Sequence, residues 1–311
     1  MGRTLRSSGI LTDIEADVAA IEANSRLQEP ERFEARTEAL DEIEFGIVNR
    51  MEPLLQAGGP TDDLAALQRR IERVRKRLES VNQDLFERIR SDIRSGACVG
   101  PAFTATVRRY VSSFDRGRRP TNEVGYDHLD AFVSGTLLRS IPQASTDSTH
   151  ALEPEMVAYQ PTPARVVLEL IERARFTEDD VFWDLGSGLG QVTILANLVG
   201  RARARGVEFD PAHCAYARQC AADFNLSGVE FINADARFVS YSTGTVFYLY
   251  TPFVGTMLRT VLERLRAVAQ DRPIRIFTYG PCTFEVARQD WLVCVDDGDH
   301  SAYRLAAFRS R

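Results

Sequence analysis

The chain has 311 residues, 44% of them hydrophobic, and a formal net charge of −6. This length supports a substantial core and two domains, and the acidic balance argues against a protein that binds nucleic acid by neutralising phosphates with a basic surface. Its start lacks a secretory-signal pattern, no run of about 18 apolar residues could span a bilayer, and its five cysteines and four histidines show no metal-ligand spacing; a cytoplasmic protein with reduced thiols, no membrane partner and no metal is expected.

Residues 1–110 are expected to form a helical, coiled-coil-like domain. Glu, Arg, Ala and Leu dominate up to Gly96, the composition of solvent-exposed helices. Leu64, Leu67, Ile71, Val74, Leu78, Val81 and Leu85 recur in steps of three and four, passing to steps of four through Ile89 and Ile93, which predicts a heptad seam about three repeats long. Leu40, Ile43 and Ile47 offer a similar face, and Gly58-Gly59-Pro60 interrupts the chain before Thr61-Asp62-Asp63, a capped and acidic helix start. The pattern predicts an antiparallel helical hairpin, with a third helix near Ile14, Val18 and Ile21. So short a seam favours packing within the chain and leaves a homodimer as the alternative. The arginine-rich run from Arg69 to Arg77 is interleaved with Glu72, the pattern of a solvated helix face.

Residues 111–158 read as a connecting and cover segment. Asp115 to Pro120 carries turn residues, apolar positions between Tyr126 and Leu138 have helical spacing, and Ile141 to Thr149 is small and polar.

From Tyr159 to the end, short apolar runs alternate with amphipathic stretches, the signature of an α/β domain with a parallel sheet covered on both faces. The strands are read at 181–184, 206–208, 229–233, 246–250 and 274–279. They are followed by an antiparallel pair at 291–295 and 303–308 around the turn Asp296-Asp297-Gly298-Asp299. Seven strands of this kind suit a Rossmann-like class I methyltransferase sheet better than a six-stranded dinucleotide sheet.

The chemistry concentrates where the first strand ends. Asp184-Leu185-Gly186-Ser187-Gly188-Leu189-Gly190 supplies a glycine bend whose amides can approach a ligand. A dinucleotide fingerprint would place its third glycine at Gln191, one residue later than Gly190, and a pyrophosphate would be repelled by Asp184. The cationic amino-acid end of S-adenosyl-L-methionine would instead be attracted. Glu208, at the end of the second strand, is placed to accept from two ribose hydroxyls, and Asp235, after the third, from the adenine amine, with Ala236 capping the ring and Phe209 packing on it.

The segment from Tyr159 to about Leu265 resembles class I S-adenosylmethionine-dependent methyltransferases. Within them, Asp184 to Val192 with the preceding Tyr159-Gln160-Pro161-Thr162 resembles the non-SET histone lysine methyltransferases, the disruptor-of-telomeric-silencing family. The resemblance implies that the loop carrying Tyr159 and Thr162 covers the methionine end of the cofactor. It also implies that Asp184, Gly186, Ser187, Gly188, Gly190, Gln191, Glu208, Phe209, Asp235 and Ala236 bind the cofactor. The chain departs from that family at Pro161, where the family carries an acid, and at Thr251-Pro252, where the family carries paired asparagines, and it shows no long basic tail; Lys76 is its only lysine. Cofactor binding therefore carries over, and histone specificity does not.

Methyl transfer depends on positioning more than on proton transfer. Tyr250-Thr251-Pro252-Phe253 ends the fourth strand, where Thr251 could orient an amine and Phe253 could wall its channel; Thr251, Phe253 and Tyr159 are the catalytic candidates. Thr251 lacks the amide or carboxylate expected of an enzyme methylating a nucleobase amine. Cys282 and the histidines read as structural. N-methylation of a protein lysine is the leading expectation, with a small-molecule methyltransferase and a non-catalytic cofactor-binding scaffold as alternatives.

Overall fold

The structure is a computed structural model that describes residues 2–58, 62–114, 126–138, 153–296 and 301–311. The turns expected at 59–61 and 115–120, the connection at 141–149 and most of the turn after Asp296 lie outside these residues. Two compact units are present, the first from residues 1–89 with 107–114, the second from 90–106 with 115–311.

In the first unit, α1 (Gly2–Ala23), α2 (Phe33–Asp41), α3 (Asn49–Gly58) and the long α4 (Asp62–Arg94) supply the helices. Ile14 and Val18 of α1, Ile43, Ile47 and Met51, and Leu67, Ile71, Val74 and Leu78 of α4 share one core. The third helix is thus an integral partner of the expected hairpin. Residues Glu42–Val48 between α2 and α3 form a π-helix, which apolar spacing alone does not signal. Arg36, fully buried, donates to the carbonyls of Leu27 (2.9 Å) and Glu29 (2.8 Å) and to Asn82 Oδ1 (2.6 Å). Burial pulls its pKa down to about 10; these acceptors compensate for a charge that would otherwise be costly to enclose.

The sequence reading placed one boundary at residue 110, but the C-terminal turn of α4 and most of α5 (Pro101–Tyr110) belong to the second unit. Hydrogen bonding gives the reason. The Arg90 guanidinium donates to the carbonyls of Gly135 (2.7 Å), Thr136 (2.9 Å) and Leu138 (3.0 Å), the open end of α6 (His128–Leu137). The Gly100 amide likewise donates to the Leu198 carbonyl (2.8 Å).

The sheet of the second unit comprises β1 (Val181–Leu185), β2 (Arg203–Glu208), β3 (Val229–Asn233), β4 (Val246–Tyr250), β5 (Arg275–Tyr279), β6 (Leu292–Cys294) and β7 (Ala306–Ser310). Their order is β3-β2-β1-β4-β5-β7-β6, the seven-stranded α/β architecture expected. Only β7 runs against its neighbours, pairing antiparallel with both β5 and β6, so β6 itself points the same way as β1. Helices α7 (Ala164–Ala174), α8 (Gln191–Leu198), α9 (Pro211–Asp223), α10 (Gly255–Asp271) and α11 (Cys282–Ala287) complete the unit. Every residue of β1 is buried, as a strand covered on both faces requires. Trp183, Leu185, Phe247 and Leu249 share a core with Val261 and Leu265 of α10. Because β1 pairs with both β2 and β4, the strand order reverses there, and the carboxyl ends of β1 and β4 flank the crevice in which such sheets bind ligands. Among the described residues, no helix is long and apolar enough to cross a membrane.

Candidate active site

A cavity of about 660 Å³ opens at this crevice, a volume suited to a cofactor with part of an acceptor. The glycine bend builds its floor. Gly186 and Gly188 hold φ of +83° and +51°, conformations that an L side chain rarely adopts. A Cβ on Gly186 would lie 2.3 Å from Pro252, and one on Gly188 would lie 2.2 Å from the Tyr159 ring, so the bend fits closely between the end of β4 and the cover segment. The Ser187 hydroxyl is buried at the cavity without a hydrogen-bond partner, which leaves it available to a ligand.

Two carboxylates converge on the bend. Asp184 is buried, and its Oδ2 accepts from Thr193 Oγ1 (2.9 Å). Burial, with a further contribution from the Glu208 charge, pushes its pKa up to about 7. Glu208 accepts from the Gly188 amide (2.7 Å) and the Asp210 amide (2.8 Å). Burial also raises Glu208, against the lowering effect of these two amides. Each oxygen of Glu208 keeps a lone pair for a hydroxyl donor. His213, in the first turn of α9, closes this side of the cavity with its ring 5.5 Å from that of Tyr159.

The cover segment is tied to β4. Val157 donates to the Pro252 carbonyl (3.0 Å), Val254 donates to the Glu155 carbonyl (2.8 Å), and Met156 bridges Phe253. The Glu155 carboxylate caps α10 by accepting from the Thr256 (2.9 Å) and Met257 (2.7 Å) amides, and these bonds hold its pKa below the usual range. Thr162 meets the Tyr248 hydroxyl (3.1 Å), and Gln191 donates to the Thr162 carbonyl (3.5 Å).

Of the residues expected from sequence, Tyr159, Thr162, Asp184, Gly186, Ser187, Gln191, Glu208, Phe209, Ala236, Thr251 and Phe253 line the cavity. Gly188 adjoins it through its bond to Glu208. Gly190 instead faces Phe231 and Ala217, 2.5 Å and 2.8 Å from where its Cβ would lie, and serves close helix–strand packing. Asp235 is not a lining residue. Burial would raise its carboxyl, but bonds from the Arg237 side chain (Nη2 at 2.6 Å) and amide (2.8 Å) outweigh that and hold it low.

The Thr251 hydroxyl is committed as well: it donates to the Tyr279 carbonyl (3.3 Å) and accepts from the Cys282 amide (3.1 Å). These bonds brace a backbone φ of +39°, rare for a β-branched residue. Burial raises the Cys282 thiol, as a structural cysteine requires. Lining residues not anticipated from sequence include His213, Tyr248 and Tyr303; the histidines lack paired spacing, so nothing in the sequence singles out His213.

Comparison with known proteins sets this site in a family. The family model described as histone methylation protein DOT1 matches residues 155–239, a span that holds the loop from Tyr159 to Thr162, the glycine bend and both acids. A protein-lysine N-methyltransferase from Saccharolobus islandicus is 31% identical over 118 residues, covering 35% of this chain and 69% of that protein. The chain belongs to the class I S-adenosylmethionine-dependent methyltransferases related to DOT1. Solved structures similar to this methyltransferase include an RNA methyltransferase from Salinibacter ruber in complex with S-adenosyl-L-homocysteine, 27% identical with a TM-score of 0.36 over 49% of this chain and 92% of that one. Another is TYW2 from M. jannaschii in complex with AdoMet, 16% identical with a TM-score of 0.35 over 48% of this chain and 77% of that one. The cofactor of this methyltransferase is S-adenosyl-L-methionine, and the donor set suits it: an acid for a cationic amino-acid end, an acid for a diol, an unpartnered buried hydroxyl and a bend whose glycines let its backbone approach a ligand closely.

Proposed function

We propose that this methyltransferase N-methylates a protein amine, with lysine the acceptor side chain. One observation carries the reading. The described lining combines carboxylates with neutral aromatic and apolar groups, Met156, Tyr250, Phe253 and Tyr303 among them, and contains no lysine or arginine. Such a surface offers no counter-charge to a phosphate-bearing acceptor and leaves room for an amine. The name of the Saccharolobus relative points the same way.

In this reading Asp184 takes the α-ammonium of the cofactor, Glu208 the ribose hydroxyls, and Phe209 and Ala236 the adenine. Tyr159 and Thr162 close over the methionine end, and Phe253, held by the cover segment, walls the acceptor path. Thr251 acts as a positioning residue, since its hydroxyl fixes the end of β4 to the loop after β5. When bound, the cofactor supplies an electrophilic methyl; the chain aligns the acceptor nitrogen and excludes water.

Incubating the full chain with methyl-labelled cofactor and size-fractionated cell extract is expected to place the label in protein, and Glu208→Ala to abolish it. Lys76→Arg removes the only lysine of the enzyme, which separates labelling of a partner from self-labelling. Label confined to small molecules or to RNA would overturn the proposal.

A further inference from the structure

Three tyrosines meet at the side of the cavity where β4 and β5 end. Tyr250 and Tyr279 are register partners at the ends of β4 and β5, with ring centroids 4.8 Å apart at 59°. Tyr303, which precedes β7, packs its ring 6.0 Å from that of Tyr279 at 71°. The Gly280 amide, donating to the Ala302 carbonyl, fastens this loop to β5. Tyr250 and Tyr303 line the cavity with Pro281 and Thr251, whereas Tyr279 is buried between them at 2% exposure. The rings are thus mutually inclined, and two of them line the cavity.

Burial pushes Tyr250 upward and Tyr279 to about 12, so these two rings offer π faces and not phenolates. Among the described residues the arginines that stand over rings do so elsewhere, Arg108 at Phe114, Arg109 at Tyr110, Arg205 at Trp183 and Arg237 at Phe238. Among the described residues, therefore, no guanidinium stands over the box. An inclined set of electron-rich rings with no competing guanidinium is the arrangement that attracts a soft, weakly hydrated cation.

We propose that Tyr250 and Tyr303, supported by Tyr279, form a cation–π receptor for the ammonium or methylammonium group of the acceptor. This rests on the amine-acceptor reading above and adds a specificity to it. A methylated ammonium sheds its water more readily than a primary one, so the box favours acceptors that already carry methyl groups and retains the enzyme on them for further rounds. Tyr250 is placed for this by its hydroxyl, which meets Gln160 Oε1 (3.4 Å) in the cover segment, and Tyr303 by the tether at Gly280.

The test uses the full chain saturated with S-adenosylhomocysteine and titrated, by NMR, with Nε-trimethyl-lysine as its acetyl amide, with the uncharged carbon isostere of that compound, and with uridine. The trimethylammonium probe is expected to bind at least about tenfold more tightly than the isostere. Tyr303→Leu is expected to remove most of that preference, with Tyr303→Phe and Tyr250→Phe keeping it within about threefold. Tyr303 is half exposed, so its replacement leaves the core intact. Equal binding of isostere and cation, no change in Tyr303→Leu, or tighter binding of uridine at the same rings would each overturn the box. Label transfer into protein by the unaltered enzyme would stand in all three cases, which keeps failure of the box separate from failure of the amine-acceptor reading.

Discussion

Glu208→Ala is expected to weaken S-adenosylmethionine binding by about 100- to 1000-fold, measured by equilibrium dialysis of labelled cofactor. Two hydroxyl donors to one carboxylate contribute about 3–4 kcal/mol together when both are charge-assisted. The same carboxylate also holds the Gly188 and Asp210 amides (2.7 Å and 2.8 Å), so its loss loosens the bend as well as the ribose contact. Glu208→Gln keeps an acceptor oxygen without the charge and is expected to fall between, at roughly tenfold. Because the site lies at the edge of the sheet and not in its core, the thermal unfolding of the cofactor-free variant is expected to stay close to that of the unaltered chain. A collapse of folding in parallel with binding would show instead that Glu208 is structural.

The second large effect is on pH dependence. Asp184 in the cofactor-free protein is raised from its ordinary 3.8 to about 7, chiefly by burial. A cationic ligand end favours the carboxylate, so below that pKa binding must release a proton. Affinity is therefore complete above about pH 7 and falls as pH drops through it, by up to about tenfold per pH unit. Glu208, raised in the same direction, adds to the trend. The sign for folding without cofactor is opposite. A carboxyl raised on folding contributes stability that is full below its unfolded value near 3.8 and is lost as pH rises through about 7. Asp184→Asn is expected to bind weakly at pH 8 and to lose most of the slope between pH 5.5 and 7.5. Calorimetry in buffers of different ionisation enthalpy reads the proton release directly; uptake of a proton, or a slope unchanged in Asp184→Asn, would contradict the account.

How far the sequence discloses this protein differs from element to element. The apolar runs of β1 and β4 are legible because strands buried on both faces need no alternation, and Glu208 is legible because its place at the end of β2 follows from the strand itself. Asp235 was expected to meet adenine. Its partner Arg237 stands only two residues away, but whether such a pair closes depends on the turn that β3 makes, which no periodicity records. Thr251 sits where expected, yet its hydroxyl is spent on the backbone of Tyr279 and Cys282, a contact between strands that sequence order hides. Tyr303 reaches the cavity only because β7 inserts between β5 and β6, and the π-helix at Glu42–Val48 leaves no mark in the apolar spacing. In the heptad seam Val81 is only half buried while Phe86 is buried, because the four-residue steps through Leu85, Ile89 and Ile93 rotate the apolar stripe past the strict repeat.

Calorimetric titration of the full chain with S-adenosylmethionine and, separately, with a nicotinamide dinucleotide tests most directly whether the bend and its two acids form a sulfonium-nucleoside site. One equivalent of S-adenosylmethionine is expected to bind with micromolar affinity and the dinucleotide not to bind. Heat from the dinucleotide alone would contradict the account.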